Sequence, residues 1–168
     1  MSHKHTYRSR LSWQGSTASG YESYERTHRI ELPPASGDLV LSADPAFRGC
    51  AELANPEQLL LAAVSSCQLL TFLALAARSR LEILAYQDDA EAIMPEEPAP
   101  MRITRVTLRP RITVAAGTDV ERVAHLVERG HEACFIANTL NAEVVVESVI
   151  EQATGVAPAP IWRDGQTV

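Results

Sequence analysis

The sequence predicts an α+β protein, and three observations carry that expectation. Residues 55–77, NPEQLLLAAVSSCQLLTFLALAA, form a helix-length run without a basic residue and with one acidic residue, Glu57. The segments on either side are rich in strand formers and are broken by glycine, proline and serine. Further on, Val120, Val123, Leu126 and Val127 make one apolar stripe at helical spacing behind Asp119, a good N-cap.

Taken in order, residues 5–32 alternate loosely and contain Tyr7, Trp13, Tyr21, Tyr24 and Ile30, with QGSTASG at 14–20 as the turn of a hairpin. Pro33, Pro34 and Gly37 punctuate the chain before a short strand near Leu39–Ser42. The long helix has favourable start chemistry. Asn55 is placed to cap, Pro56 occupies the first helical position, and Gln58 stands where a capping box takes Glu or Gln. It should run to about Ser79. Residues 81–94 and 101–114 read as two strands joined by PEEPAP, the second with Arg102, Arg105, Arg109 and Arg111 on a wet face. A helix over 120–133, a short helix in ACFIANTLN and a last strand in AEVVVESVI complete a single domain of residues 1–152. Residues 153–168 lack periodicity and read as a poorly ordered tail.

With 168 residues, the chain is long enough to bury a core without disulfide or metal staples. A net charge of -6 argues against broad binding to nucleic acid or to an anionic membrane. Cys50, Cys67 and Cys134 are odd in number and form no CxxC pair, which points to a reducing compartment. The start MSHKHTYRSR has no apolar core and is not a secretory signal, so the protein reads as cytoplasmic. Residues 59–77 are uncharged over nearly the length a bilayer needs. Ser65, Ser66, Cys67, Gln68 and Thr71 interrupt the run and favour a buried central helix over a membrane span.

Cysteine in an apolar helix is usually inert packing, and Cys67 could be that. Glu57 raises the alternative, because a carboxylate beside wholly apolar turns either has a cationic partner or points outward at the cap. Cys134 opens a predicted helix, where the dipole favours a thiolate, although a small buried residue would also fit there. Cys50 has no evident partner. His131 and Cys134 are three apart, but no further ligands complete a zinc pattern, and no metal or other cofactor is expected.

Together, NPEQLLLAAVSSC (55–67), HEACFIANTL (131–140) and SYERTH (23–28) resemble the OsmC/Ohr family of thiol-dependent hydroperoxide reductases, over roughly residues 5–151. The resemblance implies an intertwined α+β homodimer, with antiparallel sheets wrapped around long central helices. It also implies reduction of organic hydroperoxides or hydrogen peroxide in oxidative or osmotic stress defence, without cofactor, and resetting by an external dithiol or lipoyl-type reductant. Peroxidatic Cys67, resolving Cys134, a catalytic Glu57 and an arginine follow from it, with Arg26 preferred and Arg29 in reserve. The family commonly has Cys-Pro where this chain has Cys134-Phe135. A protein of the same fold that binds small molecules or senses redox state without turnover is the rival expectation. Ten residues of helix separate Glu57 from Cys67 by about 15 Å and roughly 280°, which implies that a site using both draws on two chains.

Overall fold

A computed structural model describes residues 4–154, and the chain divides into two compact units, Met1–Leu60 and Leu61–Val168. The expected tail lies almost wholly outside the described residues.

The first unit holds an antiparallel sheet of three strands, β1 (Arg10–Ser12), β2 (His28–Glu31) and β3 (Asp38–Leu41), in the order β1-β2-β3. The hairpin expected over residues 5–32 is present, with a longer connection than its sequence turn suggests. Leu41 pairs with Ala54 in an isolated bridge, and the Ser42 N–H donates to the Ala54 carbonyl at 3.0 Å. Between them a short 3-10 turn, Pro45–Phe47, is capped by Asp44, whose carboxylate accepts from the Ala46 N–H at 2.8 Å. Glycine is required at position 49, since a Cβ there would stand 1.6 Å from the Ala43 carbonyl oxygen.

Helix α1 (Pro56–Arg78) opens in this unit and continues through the second. Its capping box is complete: the Gln58 N–H donates to Asn55 Oδ1 at 2.8 Å, and the Asn55 N–H donates to Gln58 Oε1 at 3.0 Å. Burial follows a strict four-residue step through Val64, Gln68, Phe72 and Ala76. The remainder differs from the all-round burial expected of so apolar a helix. Ala62, Ser66, Leu70, Leu73 and Ala77 form an exposed, uncharged stripe, with Leu70 at 63 %. By length and composition α1 could cross a membrane, but one face of it packs into a protein core.

In the second unit, the two long strands expected over 81–94 and 101–114 and the last strand each divide in two. Strands β4 (Ile83–Asp88), β7 (Pro110–Val114) and β9 (Val149–Gln152) form one sheet, ordered β4-β7-β9. Strands β5 (Glu91–Ile93), β6 (Arg105–Leu108) and β8 (Glu143–Val146) form the other, ordered β5-β6-β8. The β4/β7 and β5/β6 pairs are antiparallel, while β8 and β9 add in parallel beside β6 and β7. The breaks fall in line across three adjacent ribbons. Pro110 at the centre has no N–H for the ladder, and the preceding Arg109 N–H turns to Asp88 Oδ1 at 2.7 Å. The other Asp88 oxygen accepts from Ser65 of α1, which ties the bend to the helix.

Helix α2 (Val120–Glu132) is capped as expected, with Asp119 Oδ1 accepting from the Arg122 N–H at 3.1 Å. Phe72 and Ala76 of α1 pack with Ile112 and Val114 of β7 and with Val123, Leu126 and Val127 of α2. A second core joins Val64 to Val106 and Leu108, with Ile136 and Leu140 against it. The short helix expected near 133–141 is a single 3-10 turn, Ala137–Thr139. The arginines lie on the wet face as expected: Arg105 pairs with Glu143, Arg109 with Glu91 and Glu147, and Arg111 with Glu151. Such exposed pairs add little stability each.

Replacing Asp88 by alanine would leave the Arg109 N–H and the Ser65 hydroxyl without their acceptor. The expected loss is about 1–3 kcal/mol, larger than for Ser65→Ala. Urea midpoints at constant m-value measure it, and an unchanged midpoint for Asp88→Ala would remove this carboxylate from the account of the bend.

Candidate functional site

Cys67 belongs to α1 one step before the buried Gln68, a rotation of about 100°. That offset puts its sulfur at the margin of the core, half-buried, on the wall of a mainly apolar cavity of about 540 Å³. Cys134 follows α2 and is completely buried. The two free thiols lie near enough for each to shift the other's pKa. Ile136 and Leu140 pack into the second core, which anchors the 134–140 segment and fixes the peptide groups next to the sulfurs. The Asn138 amide donates to the Cys134 carbonyl at 2.9 Å and braces the same turn.

The two thiols differ in electrostatics. Burial pushes the Cys67 thiol up, but the Ile136 N–H, the Cys134 thiol and the Phe135 N–H outweigh it, and the net displacement is below the ordinary thiol value. Burial pushes Cys134 up, and the adjacent Cys67 sulfur adds to the rise against the Ala137 N–H. Cys67 therefore gives up its proton more readily than Cys134. Tyr86 of β4 lies near enough for the Cys134 charge to contribute to raising its phenol, behind the larger effects of burial and Asp88.

The first unit contains a separate cavity of about 540 Å³, to which Arg26, Glu57, His28, Asp44, Trp13 and Tyr24 contribute. Arg26 precedes β2 rather than lying within a strand, and only 8 % of it is exposed. Its guanidinium donates to the Tyr24 carbonyl at 2.8 Å and the Tyr21 carbonyl at 2.5 Å. It also stands 3.9 Å from the Tyr24 ring centroid and 4.9 Å from that of Tyr21. Arg29, three residues on, is exposed and pairs with Asp38. Of the two candidates, only Arg26 shares a cavity with Glu57. No ion pair joins Arg26 to Glu57 among the described residues; they share a wall. Cys50 is exposed, and its N–H donates to Ser42 Oγ at 3.1 Å.

Sequence reasoning missed the tyrosine clamp and the peptide N–H groups at Phe135 and Ile136. The clamp had a signal in YESYER, two aromatics within five residues of the arginine. The N–H groups had none, since any residue type supplies them.

The family model for OsmC-like proteins matches residues 49–149, a span that includes Glu57, Cys67 and Cys134. The chain belongs to the OsmC-like family. An OsmC-like protein of unknown function from Vibrio cholerae is 27 % identical, with a TM-score of 0.78 over 87 % of this chain and all of that one. The uncharacterised protein YmaD of Bacillus subtilis is 26 % identical over 69 % of this chain and 82 % of its own length. The organic hydroperoxide resistance protein OhrB of Bacillus subtilis shares the fold at a TM-score of 0.56 and 18 % identity, over 89 % of this chain and 98 % of that one. The expected OsmC-like fold, α+β with few helices and largely antiparallel pairing, is thus present.

Only the thiolate form reacts with an alkylating agent, so the rate of Cys67 modification climbs with pH through its pKa. Because that pKa is lowered, the climb should level off below the range of an ordinary thiol near about 8.5. In Cys134→Ala a stabilising contact is lost, and the inflection should move to higher pH. Iodoacetamide rates, followed by peptide mass spectrometry, check this. An inflection that stays in place in the variant would show that the Cys134 thiol does not set the Cys67 pKa.

Proposed function

We propose that this OsmC-like protein is a cytoplasmic, thiol-dependent peroxidase for organic hydroperoxides, with Cys67 peroxidatic and Cys134 resolving. The observation that carries the reading is a pair of neighbouring free thiols, one on the wall of a cavity and the other buried behind it, with pKa values displaced in opposite directions. A lowered thiol supplies the nucleophile, and a raised one waits for the product of the first step. An apolar cavity beside Cys67 favours organic substrates over hydrogen peroxide.

In the first step the Cys67 thiolate attacks the terminal oxygen of the hydroperoxide. The S–O bond forms as O–O breaks, the alkoxide leaves and takes a proton to become an alcohol, and Cys67 becomes a sulfenic acid. The Cys134 sulfur then bonds to the Cys67 sulfur, and hydroxide leaves with the Cys134 proton as water. An external dithiol or lipoyl-type reductant returns both thiols by two exchanges and ends as its own disulfide. Arg26 would hold the attacked oxygen and favour the thiolate, and Glu57 would orient the guanidinium. Release of Arg26 from the tyrosine carbonyls, or a shared bond with them, accompanies that role.

The exposed apolar stripe of α1 supports a C2 homodimer, because a second copy of the same helix is a self-complementary cover for it. In such a dimer the composite site draws the cavity of Arg26 and Glu57 from one chain and the thiol pair from its partner.

Cumene hydroperoxide should link Cys67 to Cys134 within one chain and leave Cys50 free. Cys67→Ser should abolish turnover. Cys134→Ser should consume one equivalent and then over-oxidise to the sulfinic acid. Peptide mapping and a coupled turnover assay read all three, and wild-type turnover in Cys67→Ser would sink the mechanism. Arg26→Ala should slow the first attack by about tenfold or more, with Arg29→Ala near wild type; the reverse ranking would transfer the role to Arg29.

Sedimentation should give twice 18.3 kDa. Co-refolded Glu57→Ala and Cys67→Ser chains should recover activity through one intact composite site, which neither variant has alone. A fully active monomer would rule out the two-chain site.

A further inference from the structure

Breaking an O–O bond leaves an alkoxide, and the proton it takes has no assigned source, since a guanidinium does not give one up and Glu57 serves to orient the guanidinium. The cavity that Arg26 and Glu57 line also contains an imidazole, that of His28 at the start of β2. Its Nδ1 lies 2.9 Å from the Arg26 carbonyl oxygen. A carbonyl can only accept, so Nδ1 bears a hydrogen and donates. Every change of protonation then falls on Nε2, the other ring nitrogen. The bond runs to the backbone of Arg26 itself, which ties the imidazole to the residue whose guanidinium would hold the peroxide. Other polar groups on these walls are occupied: Asp44 accepts from the Ala46 N–H at 2.8 Å and from the Asn55 amide at 3.4 Å, and Ser42 Oγ accepts from the Cys50 N–H at 3.1 Å. Of the side-chain types present, imidazole is the one that ordinarily gives up and regains a proton near neutral pH.

We propose that His28 is the general acid of the first step, giving its Nε2 proton to the alkoxide as the O–O bond breaks. This rests on the peroxidase reading and the two-chain site above, and adds to them the source of the proton. In the protonated imidazole both nitrogens donate, Nδ1 to the Arg26 carbonyl and Nε2 to the leaving oxygen. The terminal oxygen keeps its own hydrogen and passes to the Cys67 sulfur as the sulfenic hydroxyl, while the electron pair of the O–O bond goes to the oxygen that carries the organic group. That oxygen takes the Nε2 proton and departs as the alcohol. The neutral imidazole stays on the Arg26 carbonyl and regains a proton at Nε2 from water before the next turnover. Arg26 and His28, two residues apart on one wall, thus act on the two oxygens of a single bond, one holding the oxygen under attack and the other neutralising the oxygen that leaves. A rival role for His28, a brace for the Arg26 backbone and nothing more, has a different signature. Losing a brace would slow every peroxide that Arg26 holds, whatever group leaves.

The test compares cumene hydroperoxide with perbenzoic acid, a peroxide of similar ring size that expels a carboxylate and needs no proton to do so. Single-turnover oxidation of Cys67 is followed by quenching and peptide mass spectrometry, in the wild type, His28→Asn and His28→Gln. Asparagine keeps an N–H near the place of Nδ1, so the bond to the Arg26 carbonyl can persist, and has nothing at the place of Nε2. Glutamine puts an amide near the place of Nε2, where it can donate a hydrogen bond but cannot transfer a proton. Both variants should slow cumene hydroperoxide by about a hundredfold, the lower end of what a general acid supplies, and perbenzoic acid by less than about threefold. A near-normal perbenzoic acid rate also shows that the variant is folded and that Arg26 is in place. Equal losses on the two peroxides, as a brace would give, or no loss on either, would overturn the assignment. A wild-type protein whose Cys67 is inert toward cumene hydroperoxide would refute the peroxidase reading itself and the assignment with it, an outcome distinct from an active wild type with unselective variants.

Discussion

The four-residue step of burial along α1 is the constraint from which the thiol site follows. Val64, Gln68, Phe72 and Ala76 present one narrow face to the sheets and to α2. A side chain on that line is sealed from solvent, and one on the far side is exposed, Leu70 at 63 %. Cys67 is one residue off the line, so its sulfur reaches inward to Cys134 and outward to the cavity at once. Moving the cysteine to position 68 would bury it as inert packing, and moving it to 66 would put it in the exposed stripe, away from the second thiol. Gln68 makes the same face polar at one point, and its Nε2 donates to the Val127 carbonyl of α2 at 3.1 Å, a contact that fixes the two helices against each other.

Much of this was legible in the sequence, because it depends on side-chain identity at fixed spacing. Asn55, Pro56 and Gln58 announced the start of α1, Asp119 that of α2, and the alternation of arginines announced a wet sheet face. The division of three strands at a common line was less legible. Pro110 was visible as a breaker, but a proline alone does not say that the strands on both sides of its own will bend with it. That alignment comes from contacts across the sheet, the Glu147 N–H to the Leu108 carbonyl and the Arg109 N–H to Asp88, which link residues 21 to 39 positions apart. The extent of burial of α1 was misjudged for a related reason: hydropathy reports that a face avoids water, and says nothing of whether the chain itself covers it.

The candidate site divides in the same way. Cys67, Cys134 and Glu57 are residue types that chemistry selects, and their motif was readable. Between Arg26 and Arg29 the sequence leaves a choice, and the structure puts Arg26 in one cavity with Glu57 and pairs Arg29 with Asp38. The electrostatic difference between the thiols could not be read, since it rests on how each is buried and on the peptide N–H groups of Ile136 and Phe135 beside Cys67. Those groups are held by where Ile136 and Leu140 pack, so apolar side chains two and six residues past Cys134 fix the backbone beside a cysteine of α1.

This coupling gives the departure at Phe135 a physical sense. A proline after the second cysteine would have no N–H to offer Cys67, whereas Phe135 has one and contributes it. Its ring does not enter the core but stands exposed on the rim of the cavity. One residue thus acts twice, through its backbone on the thiolate and through its side chain on the width of the groove. The backbone donors that lower the Cys67 thiol are therefore a property of this chain's own turn, and the fold alone does not determine them.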